Sequence, residues 1–140
     1  MADFAAYPEP IDRNDRGKGS LSDYRGVLEP ANARVTIRLA GSNLFQAELA
    51  AILAMGGENL ETATTRRTLD QERVDAPIEM RLFTGARVSG PVGWVPRGLE
   101  SVIDETLARL DVRGKKQRIP VAIVKKGGQW RVDLLVGQTR

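Results

Sequence analysis

The last part of the chain places the strongest constraint on the fold. Residues 118–137 read RIPVAIVKKGGQWRVDLLVG, which is two apolar-rich runs joined by Gly127 and Gly128. Two glycines in a row allow the positive φ angles of a primed hairpin turn. The alternation predicts one apolar face on each strand of an antiparallel hairpin. The residues on these faces are Ile119, Val121, Ile123, Trp130, Val132, Leu134 and Val136.

Another strand and a helix are predicted upstream of this hairpin. Residues 34–41 alternate apolar and polar side chains, so they predict a half-buried strand whose inner residues are Val35, Ile37 and Leu39. Asn43, with Gln46 three residues later, predicts the N-cap of a helix that Gly56 and Gly57 end. The side chains expected to be buried on this helix are Leu44, Phe45, Leu49, Ile52 and Leu53.

The middle of the chain groups its strands together. Residues 60–69 predict a strand, residues 70–76 a polar connector, and residues 77–83 a strand with Ile78, Met80 and Leu82 on one face. A turn over 84–90 and a strand over 91–95 follow. A second helix over 98–112 carries an apolar stripe and ends near Gly114. The polar residues of this helix that we expect to face water are Glu100, Asp104, Glu105 and Arg109.

The order of these elements indicates the fold class. Parallel winding needs strands and helices in steady alternation, whereas this chain places strands next to one another. We therefore expect an α+β, mostly β fold: a small curved antiparallel sheet or barrel with two helices. Residues 1–32, rich in proline, glycine and charge, predict a flexible N-terminal arm, and residues 33–140 predict the folded domain.

The amino-acid composition excludes several kinds of catalytic and metal-binding site. The chain has no cysteine and no histidine, which removes thiolate, disulfide and imidazole chemistry and most zinc or copper sites. The net charge of +3 is uneven, because residues 1–30 hold four basic and six acidic side chains. The folded part is therefore the basic part, which is compatible with a polyanionic partner. No apolar run reaches the length of a membrane span, so we expect a soluble, cytoplasmic protein with no membrane partner.

Two short motifs resemble those of one known family. Residues 92–97 read VGWVPR and lead into the second helix, and residues 70–80 read DQERVDAPIEM. This combination resembles the HIRAN family of small β-barrel domains, in which an Asn-Pro-Tyr-Asp-x-Asn-Ala-Val connector precedes a Val-Gly-aromatic-aliphatic-Pro-Arg corner. Asp75 matches the aspartate of that connector, while Val74 stands where the family has tyrosine. The likeness covers about residues 33–137.

The resemblance implies a domain that binds its ligand and does not catalyse a reaction. HIRAN domains accompany helicases and nucleases, and some hold the 3′ end of single-stranded DNA. It therefore implies a non-catalytic module that recognises DNA ends or single-stranded DNA in DNA processing or repair, without cofactor or metal. The residues that we expect to contact nucleic acid are Asp75, Trp94 and Arg97, with the basic residues Arg66, Arg67, Lys115, Lys116 and Arg118.

An enzyme and an assembly subunit are the other classes considered. No phosphate-binding loop is present, and the serines have no histidine to activate them. The carboxylates of Asp70, Glu72, Asp75 and Glu79 have no spacing typical of a metal-dependent phosphodiesterase. We therefore expect no catalysis. The alternative function is a protein-interaction or structural subunit, such as a phage component, that associates through residues 1–30.

Overall fold

The chain forms eight strands and three α-helices in the computed structural model, which describes residues 7–140. The strands are β1 (Tyr24–Arg25), β2 (Glu29–Pro30), β3 (Ile37–Arg38), β4 (Leu60–Thr62), β5 (Glu79–Thr84), β6 (Arg87–Trp94), β7 (Pro120–Lys126) and β8 (Gln129–Leu134). The helices are α1 (Gln46–Ala54), α2 (Leu69–Arg73) and α3 (Glu100–Val112). Single 3-10 turns occupy Arg13–Asp15, Leu21–Asp23, Ser42–Phe45 and Val136–Thr139.

Six strands make one curled antiparallel sheet in the order β3-β8-β7-β4-β5-β6, and β1 pairs with β2 in a separate ribbon. The curl brings the two outer strands of the sheet together. Ala40, just after β3, and Trp94, at the end of β6, exchange backbone hydrogen bonds of 2.8 Å in each direction. We call this junction the seam. The predicted fold class, a curved antiparallel sheet with helices packed on it, is confirmed.

The core lies between the concave face of the sheet and the helices α1 and α3. Alternate strand residues point into it, because side chains along a strand face opposite sides in turn. The predicted inward residues of the first strand and of residues 77–83 are all buried. The apolar stripe predicted for the second helix is buried as well: Leu99, Val102, Ile103, Leu107 and Leu110. The closing hairpin also forms as predicted, with Gly127 and Gly128 at φ of 60° and 78°.

Three predictions for the middle of the chain are wrong. The strand predicted over residues 60–69 ends at Thr62, and helix α2 begins at Leu69 and extends into the predicted polar connector over residues 70–76. Thr68 and Gln71 form a reciprocal capping box that starts α2, each accepting a backbone N–H from the other. The strand predicted over 91–95 begins earlier, at Arg87, because the hairpin between β5 and β6 turns at residues 85–86.

The start of α1 also differs from its prediction. Asn43 is not the N-cap; its own backbone N–H donates to the Asp15 carboxylate at 2.9 Å. The Gln46 side chain, instead of closing a capping box, bonds the backbone N–H and C=O of Trp130 at 2.8 and 2.9 Å. It thereby ties the helix to β8. Leu44, predicted to be buried, is 50% exposed because it lies in the 3-10 turn before the helix.

Residues 7–32, the described part of the predicted arm, lie against the rest of the chain. Tyr24 is buried in the core. Lys18 pairs with Arg38 of β3 through backbone hydrogen bonds of 3.0 and 2.8 Å. Gly17 lies so close to Pro96 that a Cβ there would be 2.8 Å from the proline ring. This part of the arm therefore covers the seam. Residues 1–6 lie outside the described part of the chain, and the domain boundary near residue 32 stays a prediction.

Candidate nucleic-acid interface

The connector and the corner that carry the family resemblance lie side by side. Arg97 of the corner donates from Nη2 to Asp75 Oδ2 of the connector at 3.0 Å. Arg67 reaches the other oxygen of the same carboxylate, with Nη1 3.2 Å from Asp75 Oδ1. Three of the residues predicted to contact nucleic acid thus form one group.

Two further carboxylates complete this group. Glu100 Oε2 is 2.9 Å from Arg97 Nη1, and Asp104 accepts from the backbone N–H and Nε of Arg67 at 2.8 and 2.9 Å. Both acids are buried, with Glu100 2% and Asp104 6% exposed, so the prediction that they face water is wrong. We call these five residues the ion cluster.

The ion cluster offers little charge to a phosphate. It contains two guanidinium groups and three carboxylates, and so it is net negative. Burial of Arg67 disfavours its charged form and so lowers its pKa. Hydrogen bonds to Asp104 and Asp75 outweigh this effect, and the pKa of Arg67 is raised. The cluster joins the connector and the corner to α3, which is a structural role.

Trp94 lies at the seam with its indole ring covered. The side chain is 3% exposed, and its ring centroid lies 5.7 Å from that of Tyr7 and 5.4 Å from that of Phe45. Gly41 packs on the ring; with φ of 78°, its added Cβ would lie 2.5 Å from the indole. A base can stack on this ring only after Tyr7 or Phe45 moves.

The remaining predicted contact residues lie elsewhere. Arg66, Lys115 and Lys116 are exposed, whereas Arg118 pairs with Glu61 at 3.6 Å and lies 4.0 Å above the Phe83 ring. Within residues 7–140, no hydrogen bond or ion pair joins any of these four cations to the ion cluster. Their role in binding nucleic acid stays a prediction.

A more basic surface lies beside β3, close to the seam. Two adjoining clefts of about 510 and 590 Å³ share Lys18, Arg38 and Lys126 in their walls. The residues that line the clefts come from the arm, from β3 and its flanking residues, and from the closing hairpin. We call the joined clefts the basic groove. Its charged side chains are Lys18, Arg34, Arg38, Lys126 and Arg131, against Asp15, Asp23 and Asp133.

Two of the five cations in the groove are neutralised. Arg38 binds Asp133 through two hydrogen bonds of 2.8 and 3.0 Å, which raise the pKa of the guanidinium. Arg131 lies 3.5 Å from Asp15, whose own pKa is raised by burial.

The other three cations are Lys18, Arg34 and Lys126. They form no ion pair with any carboxylate among residues 7–140. All three are exposed, so the groove presents unpaired positive charge to solvent.

The sequence reasoning did not identify this groove. Part of the groove was visible in the sequence. Alternation in the first predicted strand places Arg34, Thr36 and Arg38 on its outer face, and Lys126 lies at the predicted hairpin tip. The missing part was the position of the arm, because no local pattern indicates that Lys18 lies beside β3. The pairing forms through a single bridge between distant residues.

Comparisons of the chain with family models, with curated proteins and with solved structures find no match. The likeness to HIRAN domains therefore stays a prediction. In the part of the chain that the structure describes, no helix is both long and apolar enough to cross a bilayer. Among residues 7–140, acidic side chains also form no group of three or more that could hold a metal ion.

Proposed function

We propose that this protein is a non-catalytic module that binds single-stranded DNA through the basic groove. The observation that carries the proposal is the set of three exposed cations, Lys18, Arg34 and Lys126, which line one concave surface and have no carboxylate partner within residues 7–140. Phosphate contacts dominate the affinity of proteins for nucleic acid, and each contact releases a counterion.

The shape of the groove favours a single strand over a duplex. Proteins that read duplex DNA usually project a helix or a two-stranded ribbon into the major groove. Proteins that hold single strands instead offer a positively charged groove that follows the backbone. Amide side chains of Asn14, Asn32, Asn43 and Gln129 also line the clefts and supply neutral donors and acceptors beside the cations.

Binding of this kind requires no nucleophile. The chain has neither imidazole nor thiol groups, and the proposal includes no bond cleavage. The proposed partner is a phosphate backbone, and the proposed process is DNA processing or repair, as the HIRAN resemblance implies. The alternative function, assembly with other subunits through the arm, stays a prediction. Residues 7–32 pack on their own chain.

Fluorescence polarisation with a labelled oligothymidylate of about 12 nucleotides tests the proposal. The test variant combines Lys18→Glu, Arg34→Glu and Lys126→Glu. We expect it to bind roughly tenfold or more weakly at about 50 mM salt, and its slope of log affinity against log salt to fall by about 2. A 3′-phosphate version of the probe tests the end recognition that the family resemblance implies.

The matched control combines Arg66→Glu, Lys115→Glu and Lys116→Glu. It changes the net charge by the same amount, at exposed sites outside the groove. We expect this control to lose much less affinity than the test variant. Equal loss in both variants would show that only net charge matters. Loss in the control alone would place binding at the residues that the sequence predicted.

A further inference from the structure

Strand β7 is longer than the strand that it pairs with on one of its sides. β8 pairs with β7 as far as the hairpin turn. β4 pairs only with Pro120 and Val121, because it begins at Leu60. Asn59, just before β4, has a φ of 56°, so the chain turns there and does not extend the strand. Residues 122–126 of β7 therefore have no neighbouring strand on the side of β4.

The backbone groups of β7 point to its two sides in turn. The Pro120 carbonyl accepts a hydrogen bond of 2.8 Å from the residue that follows β8, whereas the Ile119 carbonyl accepts one of 2.9 Å from the Thr62 N–H, after β4. By this alternation, the N–H and C=O groups of Ile123 and Lys125 point to the side of β4. Within the described part of the chain these groups have no hydrogen-bond partner. We call them the open edge.

The two outer strands of the sheet, by contrast, have partners on their free sides. On β6, the Gly90 N–H donates to the Glu48 carboxylate at 2.9 Å, and the Val92 carbonyl accepts from the Ser42 hydroxyl at 2.9 Å. On β3, the bridge to Lys18 has the same effect. Proteins usually protect strand edges in such ways, because unpaired edges invite pairing with other chains. The open edge of β7 therefore differs from the edges of β3 and β6.

An extended peptide has the groups that the open edge lacks. A strand laid against β7 presents N–H and C=O groups at the same spacing, and several protein domains bind peptides in this way. One peptide residue opposite Ile123 and one opposite Lys125 would each exchange two hydrogen bonds with β7. The edge is accessible, since Ile123 and Val124 are half-buried and Lys125 is exposed.

The side chains along the open edge indicate the kind of peptide. Lys125 and Lys126 are exposed, and neither forms an ion pair in the described part of the chain. The Lys125 ammonium lies 5.2 Å from the centroid of the Trp130 ring, beside the strand. We propose that the open edge binds an extended acidic segment of a partner protein, with acidic residues opposite the two lysines and apolar residues opposite Ile123 and Val124.

A second copy of this chain fits the same edge poorly. Pairing of two open edges would be centred on Val124 in both copies. The Gly127 turn of one copy would then lie opposite Val121 of the other, which is already paired with Leu60. Exposed lysines on an edge strand also oppose the pairing of identical chains. The proposed partner is therefore a different chain.

Hydrogen exchange of the β7 amides tests whether the edge is open. In the free protein, the Ala122 and Val124 amides face β8 and should exchange slowly. The Ile123 and Lys125 amides should exchange at least about tenfold faster, because they have no acceptor. Equal protection of the Ile123 and Val124 amides would show that the edge is already covered, and would overturn the proposal.

Fluorescence polarisation with a labelled peptide measures binding at the edge. The probe has the sequence Thr-Glu-Glu-Val-Val-Thr and is added at about 50 mM salt. In an antiparallel alignment, its two glutamates lie opposite Lys126 and Lys125. Its two valines then lie opposite Val124 and Ile123. We expect replacement of both glutamates by lysine to weaken binding by about fivefold or more. Equal affinity of the acidic and basic peptides would refute the choice of partner.

Peptides methylated on one backbone nitrogen distinguish strand pairing from charge attraction. Methylation of the residue opposite Ile123 removes a donor that points at β7, so binding should weaken by about tenfold or more. Methylation of the residue opposite Val124 is the matched control, because that nitrogen points away from β7. It should change the affinity by less than about threefold. Equal effects of the two methyl groups would overturn the proposal.

Substitutions of Lys125 test the same hydrogen bonds from the side of the protein. Lys125→Pro removes the charge and the outward N–H, and it leaves the ladder with β8 unchanged. Lys125→Gln removes the charge alone. We expect the glutamine variant to bind the acidic peptide about two- to fivefold more weakly and the proline variant at least about tenfold more weakly. Equal weakening in two variants that circular dichroism shows to be folded would refute a role for the Lys125 N–H.

Two further measurements separate the open edge from the basic groove and from self-association. Lys18→Glu with Arg34→Glu changes the groove but not β7, so it should bind the peptide as tightly as the unsubstituted protein. Loss of peptide binding in that variant would place the peptide in the groove and overturn the proposal. Failure of oligothymidylate to bind would refute the proposed function and leave the open edge unaffected. A dimer in sedimentation experiments that Lys125→Pro dissociates would assign the edge to a second copy instead.

Discussion

Removal of Asp104 is the sharpest perturbation of the ion cluster. The Arg67 side chain is 5% exposed and that of Asp104 is 7% exposed, so the pair lies in a region of low dielectric. Asp104→Ala leaves a buried guanidinium and the backbone N–H of Arg67 without their main acceptor. Breaking a buried pair in this way typically costs about 3–5 kcal/mol.

Arg67 keeps two other partners, so we expect the loss in the free energy of unfolding to lie near the lower end of this range. Asp75 still lies 3.2 Å from Nη1, but its side chain is 62% exposed, and the Ala76 carbonyl accepts one further bond at 2.9 Å. We therefore expect Asp104→Ala to lower the free energy of unfolding by about 3 kcal/mol. Urea denaturation followed by circular dichroism measures this change.

The controls separate the ion pair from the helix. Asp111→Ala, at an exposed position of the same helix, should change the free energy of unfolding by less than about 0.5 kcal/mol. The double replacement Arg67→Met with Asp104→Leu should recover most of the loss, because neither charge of this pair then stays buried without its partner. A loss below about 1 kcal/mol for Asp104→Ala would refute the reasoning.

Two other residues give equally direct predictions. Gly41→Ala should lower the free energy of unfolding by about 2–4 kcal/mol, because the added Cβ collides with the Trp94 ring. The control Gly114→Ala has a similar φ but lies in open space, so it should cost only about 1–2 kcal/mol. Thermal denaturation measures both changes. Tyr24→Phe should raise the free energy of unfolding by about 1 kcal/mol at pH 8, because the buried hydroxyl has no partner among the described residues. Burial raises the pKa of Tyr24 from 10.0 to about 12. The unfolded chain therefore ionises first, and the unsubstituted protein should lose stability between about pH 10 and pH 12, a loss that Tyr24→Phe removes in urea titrations.

Local patterns were sufficient to predict most of the sheet. Strand alternation identified the inner faces around Val35, Ile78 and Val132, and the paired glycines located the closing turn. These features depend only on residues that are close together in sequence. The capping box at Thr68 was also visible in the sequence, but it starts a helix too short to show apolar periodicity.

The ion cluster and the basic groove depend on long-range pairing. Asp104 was expected to face water because acids are rarely buried unless they are paired. Its partner, Arg67, is 37 residues away, and a single sequence gives no sign of that pairing. For the same reason, the sequence alone did not predict the contact between Asp15 and Asn43 before α1, which are 28 residues apart. Arg67 was therefore predicted to contact nucleic acid, whereas the fold buries it.

The most direct test of the account is a map of amide chemical-shift changes when an oligothymidylate of about 12 nucleotides is added to the isotopically labelled protein. The account predicts that the largest changes occur in the basic groove, at Lys18, Gly19, Arg38 and the hairpin tip around Lys126. It also predicts small changes at Lys115 and Lys116. Changes concentrated at Arg66 and residues 115–118, or no changes at low salt, would contradict it.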